Sequence, residues 1–419
     1  MLSQYYKRLK KDSEKIALVD AGKHITYAEL NKRADCLVNY LIEGGVKYDD
    51  IVCIVIPRGI EYIVTMLAVL KVRGAVMGID YNTSAARVEY ALENSECQII
   101  VGLKKQEKKL SQLKTKVLLY EKGIERQEKI VKRIKRAKEN LCYVLYTSGS
   151  SGEPKAVGLT YKGVENRLLW QKYLKGDVSC HKTSVNFGDH VCEIWGPLLH
   201  GVKNIVIKSE DLLDIKKLET ECQREKISNF IGVPSLYKTL IEEEFHWKFR
   251  KVVISGEKIE IKALNEIKEK IAENVHNIYG STEMTADATC LALTDKKEKV
   301  IDTKLFYNLC ETEGVTVLNQ TPGAFYNFIN ESGSRAKLSK LRYVIFGGDV
   351  LNEGKLKEWF NAYGDNKPRL VNMYGITETT VHATYKGIKE EDKSNNSVGR
   401  RLGDLKIYIL SKEGGLLPH

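Results

Sequence analysis

A loop rich in glycine and hydroxyl side chains separates two apolar runs in residues 143–160, which read YVLYTSGSSGEPKAVGLT. Gly149 and Gly152 can adopt positive φ, which lets neighbouring backbone N–H groups point toward one centre. Lys155 adds a positive charge, and four side chains add hydroxyl donors: Thr147, Ser148, Ser150 and Ser151. This combination indicates a loop that binds a polyanion, and an ordinary Ser/Gly connection between two strands remains the alternative.

Segments with strand and helix patterns alternate upstream of this loop. Leu30, Ala34, Leu37 and Leu41 fall on one face of a predicted helix. Buried strands are predicted at 50–57, 74–80 and 98–101, with helices at 61–72 and 85–94, and a further helix is predicted at 162–173 after the loop. The alternation predicts a doubly wound α/β layer with parallel strands.

Composition and length limit the class of protein. With 419 residues, 43% of them hydrophobic and 29% charged, the chain is expected to be globular and to divide into two or three subdomains. No apolar run approaches the roughly 20 residues that span a membrane, and the first residues lack the apolar core of a signal peptide, so we expect a cytoplasmic protein with no membrane partner. Nine scattered cysteines without a CxxC pair predict buried thiols rather than disulfides or a zinc site.

The net charge of +11 is concentrated in one segment. Residues 104–139 contain 14 Lys or Arg and 5 Asp or Glu, with leucine and isoleucine at roughly helical intervals. We interpret this segment as a solvated helix face and a linker. Because Tyr120 is its one aromatic residue, no stacking platform for a single strand is evident, and nucleic acid is not expected as a partner.

The loop resembles the phosphate-loop signature of the adenylate-forming enzymes, usually written YTSGSTGxPKG, with Ser151 in place of Thr and Ala156 in place of Gly. More specifically, the chain is similar to the amino-acid adenylation domains of nonribosomal peptide synthetases. The resemblance implies the large-domain fold of stacked doubly wound α/β subdomains. It also implies ATP and Mg²⁺ as cofactors, with the loop from Thr147 to Gly152 and Lys155 binding the phosphates.

A second similar segment begins at Ser184 and reads SVNFGDHVCEIWGPLLHG. It resembles the family segment FDxSxWExxxPLLxG, which implies a substrate wall containing Phe187, Gly188, Asp189 and Glu193. Family members that activate amino acids hold the α-ammonium group with an Asp directly after the Phe, whereas this chain has Gly188 there and Asp189 one residue later. On an unchanged backbone that carboxylate points elsewhere, which argues against an ordinary α-amino acid. The alternative is a helix start that packs hydrophobic side chains into the core.

A third similar segment, NIYGSTE, ends the predicted nucleotide site. By its match to the family, Tyr279 stacks on adenine, Thr282 binds phosphate and Glu283 binds Mg²⁺; Gly256, in the preceding SGE, also contacts the nucleotide. A flat aromatic ring suits a purine face, and a hard carboxylate suits Mg²⁺ shared with phosphate oxygens. Lys155, Thr282 and Glu283 are the predicted catalytic residues.

The sequence then repeats itself. Asp214 and Pro234 lie 20 residues apart, as do Asp302 and Pro322, and NIYGSTE at Asn277 corresponds to NMYGITE at Asn372. The offset between the copies grows from 88 to 92 to 95 residues, which indicates a duplicated α/β subdomain. The second copy contributes Tyr374, Thr377 and Glu378 as further candidate nucleotide-binding residues. We expect the first copy to complete the site, since it follows the phosphate loop more closely in sequence.

These observations predict three subdomains, at 1–175, 176–295 and 296–419. The stretch SVGRRLGDLKIYIL resembles the end of the family's large domain, so we expect the small C-terminal domain, with its catalytic lysine, to be missing. The predicted function is ATP-dependent adenylation of a small carboxylic acid, expected to be an amino acid as in nonribosomal peptide synthesis, impaired in this chain, with a peptidyl carrier protein or the rest of a synthetase as partner. A noncatalytic remnant or docking module derived from an adenylation domain remains the alternative, so the sequence leaves open whether the chain is an enzyme.

Overall fold

A computed structural model describes residues 1–121, 140–147, 154–169, 171–257, 259–280, 282, 289–293, 303–332, 338–375, 383–392, 397–403, 405–408 and 411. The chain divides into two compact units, Met1–Thr294 and Asp295–His419. Each unit has its own sheet or sheets and its own hydrophobic core. The finer division at 175/176 stays a prediction.

The first unit contains both layers of a doubly wound fold. Its helices are α1 (Leu2–Asp12), α2 (Tyr27–Glu43), α3 (Ile60–Lys71), α4 (Ala85–Asn94), α5 (Glu107–Leu110), α6 (Tyr161–Leu168), α7 (Asp189–His200), α8 (Ser209–Leu212), α9 (Ile215–Glu225), α10 (Pro234–Glu242) and α11 (Ile261–Lys270). Its strands are β1 (Ile16–Asp20), β2 (Lys23–Thr26), β3 (Ile51–Val55), β4 (Ala75–Gly78), β5 (Ile99–Leu103), β6 (Lys116–Tyr120), β7 (Leu141–Thr147), β8 (Lys155–Thr160), β9 (Val178–His181), β10 (Lys203–Val206), β11 (Asn229–Gly232), β12 (Phe249–Ile254), β13 (Ala272–Tyr279) and β14 (Thr289–Leu293).

A six-stranded sheet in the order β6-β5-β3-β4-β7-β8 forms the first layer. Its strands run parallel except for β8, which pairs antiparallel with β7. The predicted strand and helix alternation is confirmed here, and the predicted face of α2 is fully buried at Leu30, Ala34, Leu37 and Leu41. These apolar side chains are part of the hydrophobic core. They are buried because α2 packs closely on α3, one of the most completely buried helices in the unit.

Two local predictions in this layer are wrong. Residues 116–120, part of the segment interpreted as a solvated helix face and a linker, form the edge strand β6, because KVLLY buries Leu118 and Tyr120 and leaves Val117 and Leu119 half-buried, with the period of two that a strand requires. The helix predicted over 162–173 ends at Leu168. Residues 122–139 of the basic segment lie outside the described residues.

An eight-stranded sheet in the order β14-β13-β12-β11-β9-β10-β1-β2 forms the second layer. Strands β9 to β13 run parallel in it, and β14 closes one edge antiparallel to β13. The N-terminal hairpin β1–β2 joins the other edge through β10, with Leu18 opposite Asn204. The predicted subdomain of residues 1–175 therefore contributes strands to both sheets.

The second unit repeats the end of the first. Its elements are α12 (Thr303–Thr312), β15 (Val317–Gln320), α13 (Pro322–Ser332), β16 (Tyr343–Phe346), α14 (Lys357–Tyr363), β17 (Arg369–Tyr374), β18 (Thr384–Ile388) and β19 (Arg400–Arg401). The order β15-β16-β17-β18 corresponds to β11-β12-β13-β14, with three parallel strands and an antiparallel fourth in both.

The strand registers place the two copies in correspondence residue by residue. Gly232, Ile254 and Asn277 lie at the carboxyl ends of three paired strands in the first unit, and Gln320, Phe346 and Asn372 lie at the same register in the second. Their offsets are the 88, 92 and 95 residues of the sequence repeat. The predicted duplication is confirmed.

The described cysteines agree with the sequence prediction. Cys36, Cys53, Cys97, Cys142, Cys180, Cys192, Cys222 and Cys310 are free thiols with buried side chains. In the part of the chain that the structure describes, the helices are too short or too polar to cross a bilayer.

Candidate functional site

The predicted phosphate loop connects the two strands of the hairpin β7–β8. Thr147, the last residue of β7, pairs with Lys155, the first residue of β8, and both side chains are half-buried. The remaining predicted loop residues, Ser148, Gly149, Ser150, Ser151 and Gly152, lie outside the described residues. The structure therefore describes both ends of the loop, which the β7–β8 pairing holds next to each other.

Helix α4 fixes the two arms of this hairpin. The Tyr90 hydroxyl donates a hydrogen bond of 2.9 Å to the Pro154 carbonyl on one arm. The Tyr146 hydroxyl, on the other arm, donates to the carbonyl of Ala91 at 2.9 Å and to the side-chain oxygen of Asn94 at 3.0 Å. Burial raises the pKa of Tyr146, so its phenol stays a neutral donor at physiological pH.

The carboxyl ends of the parallel strands in the eight-stranded sheet carry the predicted nucleotide residues of the first copy. Gly256 follows β12 by two residues with φ of +83°, a left-handed conformation that favours glycine. Tyr279 ends β13, and Thr282 follows it with a half-buried side chain. The side chain of Tyr279 and the whole of Glu283 lie outside the described residues. Ligands of open α/β sheets bind at this carboxyl edge.

The predicted substrate wall forms the start of α7. Phe187 is 66% exposed, and Gly188 is the residue before the helix. Asp189 is paired with a buried side chain of α6. The Arg167 guanidinium donates from Nη2 to Asp189 Oδ1 at 2.8 Å and from Nη1 to the Gly188 carbonyl at 2.8 Å. The Asp189 carboxylate therefore points toward α6.

Glu193, the fourth predicted substrate residue, is buried and holds the turn after β9. Its carboxylate accepts hydrogen bonds from the backbone N–H groups of Lys182 (2.9 Å) and Thr183 (2.8 Å) and from the Thr183 hydroxyl (2.8 Å). The Lys182 ammonium lies 3.5 Å away. This carboxylate thus has internal partners for both of its oxygens.

Two buried histidines near this wall were not singled out by the sequence. His190 Nδ1 donates to the Phe187 carbonyl at 2.6 Å, and the Tyr62 hydroxyl lies 3.5 Å from its Nε2. Burial lowers the pKa of His190 to about 4, and burial also lowers the pKa of His181 well below its usual range. Both rings are neutral at physiological pH. Because a single histidine has no local sequence pattern, the sequence could not have revealed that these two rings are buried and neutral.

The carboxyl ends of the two sheets meet inside the first unit. The Ser184 hydroxyl donates to the side chain of Asp80 at 3.2 Å, and the backbone N–H of Asp80 donates to Asn186 Oδ1 at 3.3 Å. Asp80 follows β4, the neighbour of β7, and Asn186 directly precedes Phe187. The sheet that carries the phosphate hairpin therefore contacts the segment that begins the substrate wall.

The second unit carries the counterparts of the nucleotide residues. Gly348 has φ of +83°, as Gly256 does, and Tyr374 ends β17 with its side chain half exposed. Thr377 and Glu378 lie outside the described residues. Among the described residues, no group of three or more His, Cys, Asp or Glu side chains is arranged to hold a metal ion. The predicted Mg²⁺ ligand, Glu283, stays a prediction.

Known proteins match this chain along its length. A family model described as "AMP-binding enzyme" matches residues 5–303 and, separately, residues 289–419. The chain is 27% identical, over 98% of its length, to the dimodular nonribosomal peptide synthase of Bacillus subtilis (strain 168), of which it covers 14%. It is 26% identical, over 96% of its length, to syringomycin synthase SyrB1 of Pseudomonas syringae pv. syringae, of which it covers 53%. The chain thus spans a small part to about half of these relatives.

Solved structures show the same fold. The N-terminal subdomain of Klebsiella oxytoca NpsA, in complex with 3-hydroxyanthranilyl-AMSN, has a TM-score of 0.62 at 20% identity, over 70% of this chain and 75% of that one. The o-succinylbenzoate CoA synthetase MenE of Bacillus subtilis has a TM-score of 0.63 at 18% identity, over 71% of this chain and 62% of that one. The predicted α/β fold of the adenylate-forming enzymes is confirmed.

Proposed function

The chain belongs to the AMP-binding enzyme family, and we propose that its first unit binds ATP and transfers the adenylyl group to the carboxylate of a small carboxylic acid. In the proposed reaction, a carboxylate oxygen of the acid attacks the α-phosphorus, and the bond to the departing pyrophosphate breaks. The products are an acyl-adenylate and pyrophosphate.

One observation carries the proposal. Asp80, beside the phosphate hairpin, is hydrogen-bonded to Ser184 and Asn186, which lead into the substrate wall. Asp80 and the segment that contains Ser184 and Asn186 belong to the same unit as Gly256 and Tyr279. The segments proposed to bind phosphate and acid therefore lie next to each other in one unit, which supports a shared site at the edge where α/β sheets bind ligands.

The chain's own residues would act by positioning and by charge neutralisation. The hydroxyl groups of the loop and the Lys155 ammonium would bind the phosphates. At Gly256 a nucleotide could approach the backbone closely, because glycine has no side chain. The Tyr279 ring would stack on adenine. When bound, Mg²⁺ would shield the phosphate charges, with Glu283 as its proposed ligand.

The proposed substrate is a carboxylic acid without an α-amino group. A substrate ammonium would need an available carboxylate at the start of α7. Asp189 is already paired with Arg167, and Glu193 is already bound to Lys182 and Thr183. A further proposal is that a carrier protein, or the rest of a synthetase, accepts the activated acid. NpsA has been solved as an artificial fusion of an adenylation domain with a PCP domain.

The nucleotide site is tested by replacing Lys155 with Ala. Loss of a charged donor to phosphate is expected to weaken ATP binding by about 1.5 to 3 kcal/mol, measured by calorimetry. Lys162→Ala removes an exposed charge from the first turn of α6 and serves as the matched control, with ATP affinity unchanged. Equal ATP affinity in the wild-type chain and in Lys155→Ala would remove the assignment.

The duplication in the second unit favours a second candidate, a noncatalytic module derived from an adenylation domain. Exchange of labelled pyrophosphate into ATP, measured over aryl, aliphatic and amino acids, separates the two functions. The enzyme proposal predicts exchange with acids that lack an α-amino group and negligible exchange with α-amino acids. ATP binding without exchange for any acid would support the noncatalytic module instead.

A further inference from the structure

A cavity of about 190 Å³ lies beside the phosphate hairpin. Thr147 and Pro154, which flank the loop, line one side of it, and Asn186 lines another. Thr83 and Arg87, before and within the first turn of α4, also line it. An apolar cavity of about 150 Å³ is large enough to hold benzene, so this cavity has room for one ring or a short branched chain.

The polar groups around the cavity are mainly hydrogen-bond donors. Arg87 is its one charged lining residue among those described, and its guanidinium has no hydrogen bond or ion pair with a described residue. Asn186 uses its side-chain oxygen to accept from Asp80, which leaves its amide N–H groups available. Thr83 and Thr147 contribute hydroxyls. This set favours an anion over a cation.

The rest of the wall is apolar. Ile79 and Ala91 line it with buried side chains, and the rings of Tyr90 and Tyr146 meet edge to face with centroids 6.4 Å apart. The hydroxyls of both tyrosines donate to backbone carbonyls, at Pro154 and Ala91. Because such a surface cannot solvate a highly charged ion, it disfavours inorganic phosphate and pyrophosphate.

We propose that this cavity binds a small monocarboxylic acid with an apolar body the size of a single ring, its carboxylate on Arg87 and its body between Ile79, Ala91 and the two tyrosine rings. Apart from Asn186, which directly precedes Phe187, the lining residues lie outside the segment at the start of α7. The proposed acid binds without a nucleotide, so this proposal does not depend on whether the chain catalyses adenylation.

Calorimetric titration of the full chain without nucleotide tests the site, with benzoate, neutral benzamide and pyrophosphate as probes. Benzoate is expected to bind at least about tenfold more tightly than benzamide, since only benzoate forms a charge-assisted pair with Arg87. Arg87→Gln is expected to weaken benzoate binding about tenfold and leave benzamide unchanged. Ala91→Leu fills the cavity and is expected to abolish binding of both. Lys11→Gln, which removes an exposed charge on α1, serves as the matched control and leaves all affinities unchanged.

Three results would overturn the proposal. The first is that benzoate does not bind. The second is that benzoate binds with equal affinity to the wild-type chain and Arg87→Gln, which would assign the acid to another place. The third is that pyrophosphate, rather than benzoate, binds and is lost in Arg87→Gln. Because Arg87 is exposed, its variant is expected to unfold at the same temperature as the wild type, and the result does not depend on Ala91→Leu folding.

Discussion

The carboxylates at the start of α7 show how far single residues can be interpreted from sequence. The spacing after Phe187 identified Asp189 and Glu193 as candidates and indicated that Asp189 would not take the place of an Asp at position 188. Sequence could not identify their partners, because Arg167 comes from α6 and Lys182 from the turn after β9. A side chain's partner depends on tertiary packing, and no local pattern encodes it.

Glu193→Gln tests whether this residue is structural. The amide nitrogen of Gln cannot accept the hydrogen bonds that Lys182 and Thr183 donate, and the buried Lys182 ammonium would lose its counter-charge. We expect the first unit to lose about 3 kcal/mol of stability, measured by urea unfolding. Glu210→Gln, at an exposed position, is the control and should change stability by less than about 0.5 kcal/mol. Unchanged stability with lost acid binding would return Glu193 to the substrate site.

At the scale of elements, periodicity predicted the helices and strands whose environment is uniform. Helices α2 and α4 and the strands β3, β4 and β5 lie where the pattern placed them, within a few residues. Strand β6 was missed because five residues of alternating burial are embedded in a lysine-rich segment with helical spacing. The hairpin arms were recognised, but their attachment to α4 through Tyr90 and Tyr146 is a long-range contact that sequence does not show.

The turns after β12 and β16 provide a matched pair of variants. Gly256 and Gly348 share φ of +83°, and an added Cβ would meet Val233 Cγ1 at 3.4 Å in one turn and Thr321 Cγ2 at 3.8 Å in the other. Because a residue with a side chain is strained at this φ, Gly256→Ala and Gly348→Ala should each lower the free energy of unfolding of their own unit by about 1 to 2 kcal/mol, measured by thermal unfolding. Only Gly256→Ala is expected to weaken ATP binding, by about tenfold, because it disturbs the turn proposed to face the nucleotide. Equal losses of ATP affinity in both variants would contradict the assignment to the first copy.

At the scale of the whole molecule, the duplication was predictable and the sheet membership was not. The repeat appears in sequence as matching motifs at offsets of 88, 92 and 95 residues, and the strand registers reproduce the same offsets. The family model likewise matches the chain twice. In contrast, β1 and β2 join the eight-stranded sheet through β10, about 180 residues later in sequence. The strand pattern of β1 does not specify which sheet it completes.

We propose that the first of the two copies binds the nucleotide. Photo-crosslinking with an azido-adenine nucleotide, followed by mapping of the labelled peptides, tests it directly. We expect labelling of the segment that ends at Tyr279, suppressed by unlabelled ATP and reduced in Lys155→Ala. Labelling confined to the segment around Tyr374 would contradict it, because the second copy would then hold the adenine.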